Sequence, residues 1–253
     1  MPENMPEHLI LIHGAWAGGW VWERLLAPLR AAGFQAHALE LPGNGHGPRG
    51  DLDAGLDDYE HTVMETLAAL PGRVGLVAHS GGGVTATRVA DRAPERITGV
   101  AYVAGMMLPS GMGFAELTAP LKTADPDAAG IVPHLQWDAE RRASRVPPEA
   151  ARAIFFQDLP DAEAEGAAGR LTSQPEKARA AAPSWSTERF GRVRRLYVEA
   201  LRDRSVVPAA QRRMQDLVPG ARVVSLDTGH APQVSAPDDL AAALTAFFGS
   251  ARP

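Results

Sequence analysis

Apolar and polar positions along the chain set up a regular alternation. His8-Leu9-Ile10-Leu11-Ile12-His13 is an unbroken apolar run between polar ends, the pattern of a strand covered on both faces. Over residues 20–32 the spacing changes: Val21, Leu25, Leu26 and Leu29 share one face of a helix, and Gly33 stops it. A second strand is predicted at 35–41, ended by Pro42-Gly43-Asn44-Gly45-His46-Gly47-Pro48, then a helix over 56–70 that stops at Pro71-Gly72. The pattern continues with a strand at 73–79, a helix at 81–93 and a buried strand at 97–104. Near the end come a strand at 193–201, a helix at 207–217, a strand at 221–226 and a closing helix at 237–248. Strands alternating with helices of this length predict an α/β fold, a mostly parallel, doubly wound sheet of about six strands.

Residues 109–192 break the alternation. They contain no buried-strand run, are rich in proline, alanine and charge, and suggest short helices near 149–158 and 161–171, punctuated by Pro147-Pro148 and Pro183. A segment this long is not a plain loop in a compact domain. It is read as a helical cap inserted into a core made of residues 1–108 and 193–253.

Composition narrows the chemistry. The 253 residues suffice for one such domain with its insertion. A formal net charge of -5 gives no electrostatic case for nucleic acid or an anionic membrane. There is no cysteine, so disulfides, thiolate nucleophiles and cysteine-metal sites are excluded. The N-terminus has no basic region, the apolar run 9–12 is too short for a signal-peptide core, and no stretch approaches transmembrane length, so a cytoplasmic protein is expected. Asp51, Asp53, Asp57 and Asp58 fit a solvated helix entry and lack metal-ligand spacing; neither a metal nor a cofactor is expected.

The stretch Gly75-Leu76-Val77-Ala78-His79-Ser80-Gly81-Gly82-Gly83 carries the chemical signal. An apolar strand ends in His-Ser, and glycines open a helix, the form of a nucleophile elbow. A serine standing clear of a sheet on a sharp turn needs small neighbours: Ala78 and Gly82 leave that room, and Gly81 and Gly83 let the helix start close to the strand. The Gly81 N–H, at a helix N-terminus, can meet a developing oxyanion. No Gly-Lys-Ser/Thr follows, which argues against a phosphate loop.

In an open parallel sheet the site lies beyond the carboxyl ends of the strands. Four such ends carry chemistry: His13-Gly14-Ala15-Trp16, Ser80, Arg202-Asp203-Arg204-Ser205 and Asp227-Thr228-Gly229-His230. The order Ser80, Asp203, His230 is that of hydrolases with a nucleophile elbow. Ser80 would be the nucleophile, His230 the base and then acid, and Asp203 the group that orients the imidazole. Ala15 is the candidate second oxyanion donor. Glu199 and Asp227 are rivals for the acid, the first within a strand and the second close enough to His230 to shape the turn. His79 should point away from the nucleophile, and His13 could shape the oxyanion loop or touch substrate. Trp16, Phe114, Trp137, Phe155, Phe156 and Trp185 are candidate pocket walls; of these Trp16, Phe155 and Trp185, with His13, are taken as substrate-binding.

These motifs resemble the α/β-hydrolase superfamily, and within it the branch of plant methylesterases, hydroxynitrile lyases and bacterial pyrethroid-hydrolase-like esterases. The resemblance rests on Leu11-Ile12-His13-Gly14-Ala15-Trp16 with Gly19-Trp20-Val21-Trp22, Leu41-Pro42-Gly43-Asn44-Gly45, the Ser80 elbow, Phe190-Gly191-Arg192-Val193, Arg202-Asp203-Arg204 and Ser225-Leu226-Asp227-Thr228-Gly229-His230. It implies a six-stranded core and a serine carboxylesterase with a Ser-His-Asp triad and an oxyanion hole, acting on a small, apolar ester without a cofactor. Lyases of this branch carry threonine and lysine where this chain has Gly14 and Ala231, which favours ester hydrolysis over lyase chemistry. Other triad reactions (lactonase, thioesterase, amidase, carbon–carbon hydrolase, hydroxynitrile lyase) and a ligand-binding, receptor-like role stay open at this point, as does the choice between monomer and homodimer.

Overall fold

A computed structural model describes residues 6–44 and 52–249. His46 and Asp51 lie outside the described residues. The strands, in chain order, are β1 (His8–Ile12), β2 (Gln35–Ala38), β3 (Val74–His79), β4 (Ile97–Val103), β5 (Gln136–Trp137), β6 (Ala143–Arg145), β7 (Gln174–Pro175), β8 (Arg195–Ala200) and β9 (Ala221–Leu226). The helices are α1 (Glu23–Ala31), α2 (Leu56–Ala69), α3 (Gly82–Arg92), α4 (Phe114–Ala124), α5 (Pro148–Ile154), α6 (Asp161–Ala168), α7 (Glu176–Arg179), α8 (Pro208–Leu217), α9 (Pro232–Ser235) and α10 (Pro237–Phe248).

Six strands form one sheet in the order β2-β1-β3-β4-β8-β9, every neighbouring pair parallel. Side-chain alternation along each strand feeds two cores. Leu9 and Leu11 of β1 face α1 and α10, together with Leu25, Leu29, Leu244 and Phe248. Ile10 and Ile12 face the other way, toward Tyr59, Val63 and Leu67 of α2 and Val84 and Val89 of α3. A strand apolar at every position is what a sheet with helices on both faces requires. Each fully buried leucine or isoleucine there contributes about 1.5–3 kcal/mol.

The segment between β4 and β8 differs from the all-helical expectation. It holds a small antiparallel sheet, β5-β6-β7, in which Ser144 lies opposite Gln174. Strands of two or three residues are too short to register as a period in sequence. Helix α4 was also not anticipated, because Pro120 sits inside it and reads as a breaker. The segment has no separate core: Phe155, Phe156 and Ala164 join one sheet core, and Leu117 and Ala178 the other. Among the described residues no helix is long and apolar enough to cross a membrane, and no cluster of three or more His, Asp or Glu could hold a metal.

Candidate active site

The parallel sheet brings β1, β3, β8 and β9 to one edge, and each ends in a residue of interest. Ser80 follows β3 at φ +50°, a left-handed conformation that a non-glycine residue adopts only when its surroundings impose it. Those surroundings are explicit. The Ser80 N–H donates to Val103 O (3.2 Å), and Ser80 O accepts from Met106 N–H (2.9 Å) and Gly83 N–H (3.1 Å). The turn also demands close approach of backbones. A Cβ on Gly82 would stand 2.5 Å from His13 O and 2.7 Å from Ile12 O, and one on Gly83 2.7 Å from Met106 O. Gly81, expected to be needed for that approach, is not: a Cβ there would meet only Ala15 N, at 3.8 Å. The steric roles therefore fall on Gly82 and Gly83.

His230 and Asp203 meet directly. The His230 Nδ1–H donates to Asp203 Oδ2 at 2.8 Å, and both side chains are buried. Asp203 Oδ1 accepts two backbone N–H bonds, from Ser205 (2.7 Å) and Val206 (3.0 Å). With both carboxylate oxygens occupied, the orientation of Asp203 is fixed, and through it the imidazole tautomer that leaves Nε2 able to accept a proton. The rival acids are engaged elsewhere. Glu199 lies within β8 and accepts from Arg212 (2.7 Å) and Ser225 (2.8 Å), while the exposed Asp227 pairs with Arg202 at 2.9 Å.

The two loops that carry Asp203 and His230 are tied together by Arg202 N–H to Thr228 O (2.9 Å) and clamped by a pair that sequence reasoning missed. Gln157 Nε2 donates to Arg202 O (2.8 Å), and Asp158 Oδ2 accepts from Gly229 N–H (2.6 Å). Gly229 lets both side chains come this close: a Cβ would stand 2.7 Å from Asp158 Oδ1 and 2.8 Å from Gln157 Nε2, so the clamp would have to shift. No local pattern in the sequence marks Gln157-Asp158.

The loop after β1 supplies a backbone donor. Leu41 N–H donates to His13 Nε2 (3.1 Å), so the proton sits on His13 Nδ1, which donates to Gly14 O (2.8 Å). In a trans peptide the C=O and N–H point in opposite directions. Holding Gly14 O toward His13 therefore turns the Ala15 N–H away from it. Among the described residues neither Ala15 N–H nor Gly81 N–H has a partner. The close fit of the loop to the elbow explains Gly14: a Cβ would stand 2.8 Å from Ser80 Cβ and 3.1 Å from His79 Nδ1, so a threonine has no room in this arrangement. With both ring nitrogens occupied by backbone, His13 shapes this loop although it also borders the cavity.

His79, expected to point away from Ser80, packs against His230 and borders the smaller cavity with it. Its Nε2–H donates to His230 O at 2.8 Å, and the two rings are 4.8 Å apart. Burial, reinforced by the neighbouring His230, holds the His79 pKa well below the usual histidine range, and burial lowers that of His13 as well. Both rings thus stay neutral in the fold, while each binds a proton in the unfolded chain below about pH 6.5. The unfolded state then binds more protons, so stability is fully present above that pH and falls as pH drops below it, by up to about 1.4 kcal/mol per pH unit per ring. Urea unfolding at pH 7.5, 6.5 and 5.5 should show this decline, with a shallower slope in His79→Gln. An equal slope in the variant would mean that His79 is already protonated in the fold.

Two cavities open on Ser80. The larger, about 690 Å³, is walled by Leu41, Leu56, Val84, Met106, Phe114 and Ile131. Its charged residue, Arg179, is locally neutralised by a bidentate pair with Glu176 (2.6 and 2.7 Å). The smaller, about 340 Å³, is bordered by His230, Phe155, Phe156, Leu171 and Ala231. Trp16 and Ala15 line both. The Phe155 ring lies 5.1 Å from His230 and 6.0 Å from Trp16. Trp185 lines neither, a correction to its expected role: its indole donates to Leu108 O (3.0 Å) and its ring packs on Phe190 at 5.0 Å. Trp137 likewise borders neither cavity, with the Arg141 guanidinium 4.4 Å above its ring.

Comparison with known proteins agrees with this architecture. The sequence matches the alpha/beta hydrolase family over residues 9–243. It is 30% identical over 243 residues to a pyrethroid hydrolase of Sphingobium wenxiniae, covering 94% of this chain and 86% of that protein. Methylesterase 17 of Arabidopsis thaliana is 27% identical over 249 residues, 93% of this chain and 89% of its own length. The crystal structure of a pyrethroid hydrolase from Sphingobium faniae JZ-2 superposes with a TM-score of 0.85 at 30% identity, covering 96% of this chain and 97% of that one. A match running from β1 into α10 takes in the elbow, the Asp203 loop and the His230 loop together, and the chain belongs to the alpha/beta hydrolase family.

Proposed function

We propose that the protein hydrolyses carboxylic esters by serine catalysis through an acyl-enzyme. The observation that carries this reading is the His230–Asp203 pair beside a serine held at φ +50°, with both Ser80 and His230 bordering one cavity. Ser80 Oγ attacks the ester carbonyl carbon, and its proton passes to His230 Nε2. The carbonyl oxygen takes up the negative charge and is met by the Ala15 and Gly81 N–H groups, each worth about 3–4 kcal/mol in the transition state. His230 then protonates the departing alkoxide. Water attacks the acyl-enzyme and gives a proton to His230, which returns it to the departing Ser80 Oγ, releasing the carboxylic acid and free Ser80. A neutral His79 beneath His230 adds no repulsion against the transient imidazolium. The relatives named for methyl esters and for pyrethroids fit this chemistry.

The mechanism also divides the substrate. The leaving oxygen must lie on the side of His230, and of the two cavities the smaller one borders that residue. The alcohol half is therefore compact and the acyl half larger and apolar. Kinetics with two isomeric esters test this reading: methyl octanoate should be cleaved at least about tenfold more efficiently than heptyl acetate, the range set by a few methylenes in an apolar pocket. Equal or reversed preference would overturn the assignment of the cavities, and no turnover of either would overturn the esterase reading.

A further inference from the structure

Trp16 stands between the Ala15 donor and the segment that covers it. It has φ +60°, a conformation that a bulky side chain adopts only under constraint. The constraint comes from β6, β7 and the residues beside them. Gln174 Oε1 accepts the Trp16 N–H (3.2 Å), Trp16 O accepts Thr172 N–H (2.8 Å), and the Trp16 indole N–H donates to Ser144 Oγ (3.1 Å). Ser144 and Gln174 face each other across the β6–β7 ladder, so one cross-strand pair grips both the backbone and the side chain of Trp16. Gln174 is itself held. Its Nε2 donates to Tyr59 OH (3.1 Å) and to Pro175 O (2.9 Å), and Tyr59 OH is also bonded to Asn44. Trp16, Ser144, Gln174, Tyr59 and Asn44 are buried, where an unmade hydrogen bond is costly and the made one is directional.

We propose that Gln174 is a positioning residue for the oxyanion donor. Its carbonyl oxygen fixes the Ala15–Trp16 peptide while His13 fixes the preceding one, so the Ala15 N–H is held from both sides. Without that acceptor the Trp16 peptide is released from its left-handed conformation, and the Ala15 N–H leaves the line to Ser80. The proposal rests on the reading of Ala15 as an oxyanion donor. It adds that the donor is set by the covering segment and not by the β1 loop alone.

The test compares wild type with Gln174→Leu, close in size and without polar atoms, and with Gln174→Glu, which keeps the acceptor toward Trp16. Two inhibitors are titrated beside ester kinetics: an alkyl trifluoromethyl ketone, to which Ser80 adds and which places an oxyanion at Ala15 and Gly81, and the matching methyl ketone, which binds without adding. Their affinity ratio cancels any change in the pocket wall. In Gln174→Leu, kcat should fall about 10- to 100-fold with KM within a few-fold, short of the loss when a donor is removed outright, and the affinity ratio should fall by the same factor. Gln174→Glu keeps an acceptor but loses the Nε2 donation to Pro175 O, and should fall between wild type and Gln174→Leu on both readouts. A folded Gln174→Leu with unchanged kcat and ratio would overturn the proposal. Should Gln174→Leu fail to fold, Gln174→Met, likewise without an amide oxygen, takes its place, and unchanged kcat and ratio there would overturn the proposal. If wild type itself neither turns over esters nor favours the trifluoromethyl ketone, the esterase reading falls, a result distinct from either outcome.

Discussion

Ser80→Ala is expected to abolish ester turnover, lowering kcat by about 10⁴- to 10⁶-fold, while the protein stays folded. The loss is this large because nothing else at the end of β3 can take over. His79 is turned beneath His230 and bonded to its carbonyl, and the neighbours on the other side are glycines. The fold should survive because what holds residue 80 at φ +50° is backbone: Val103 O, Met106 N–H and Gly83 N–H bond to its peptide groups and not to its hydroxyl. An alanine keeps the Cβ and all three bonds. Steady-state kinetics beside thermal unfolding check both halves. A variant that retains substantial turnover would remove Ser80 from the chemistry.

Asp203→Asn should cost about 10⁴-fold in kcat with little loss of folded protein, for a reason visible in the hydrogen bonds. Asp203 uses one oxygen for the N–H groups of Ser205 and Val206 and the other for His230 Nδ1–H. An asparagine must place its single oxygen toward the two backbone donors, which leaves its NH₂ facing His230. A donor there selects the imidazole tautomer with the proton on Nε2, and that nitrogen can no longer accept one from Ser80. A rise in rate at high pH, where the proton is drawn off by solvent hydroxide, would be consistent with this cause. A variant with near-normal kcat at neutral pH would show that Asp203 does not set the tautomer.

What could be read before the structure follows from what is local. The apolar runs of β1, β3, β4 and β8 and the elbow around Ser80 are contiguous in sequence, so period and motif expose them. Asp203 and His230 are legible as candidates because a parallel sheet places functional residues just past strand ends, and each lies within four residues of one. The segment over 109–192 was harder for a physical reason. Its strands are two or three residues long, α4 carries an internal proline, and its buried side chains belong to cores made mostly by other elements. The grip of Gln174 on Trp16 and of Asp158 on Gly229 spans 158 and 71 residues, so no window of sequence contains both ends. Trp185 was misplaced on the same account: an aromatic residue in a covering segment can face a cavity or a neighbouring ring, and only the packing on Phe190 decides.

The position of β9 has a consequence for the life of the chain. It is the outer strand of the sheet, only half-buried, and it follows the whole covering segment in the order of synthesis. A domain generally folds as a unit, and this one cannot close until β9 has been made. Until β9 docks, His230 is unattached and Ser80 is an ordinary alcohol with no base beside it. Under the proposed ester chemistry, newly made or partly opened chains are silent toward the esters around them, and reactivity switches on only when β9 has closed the sheet.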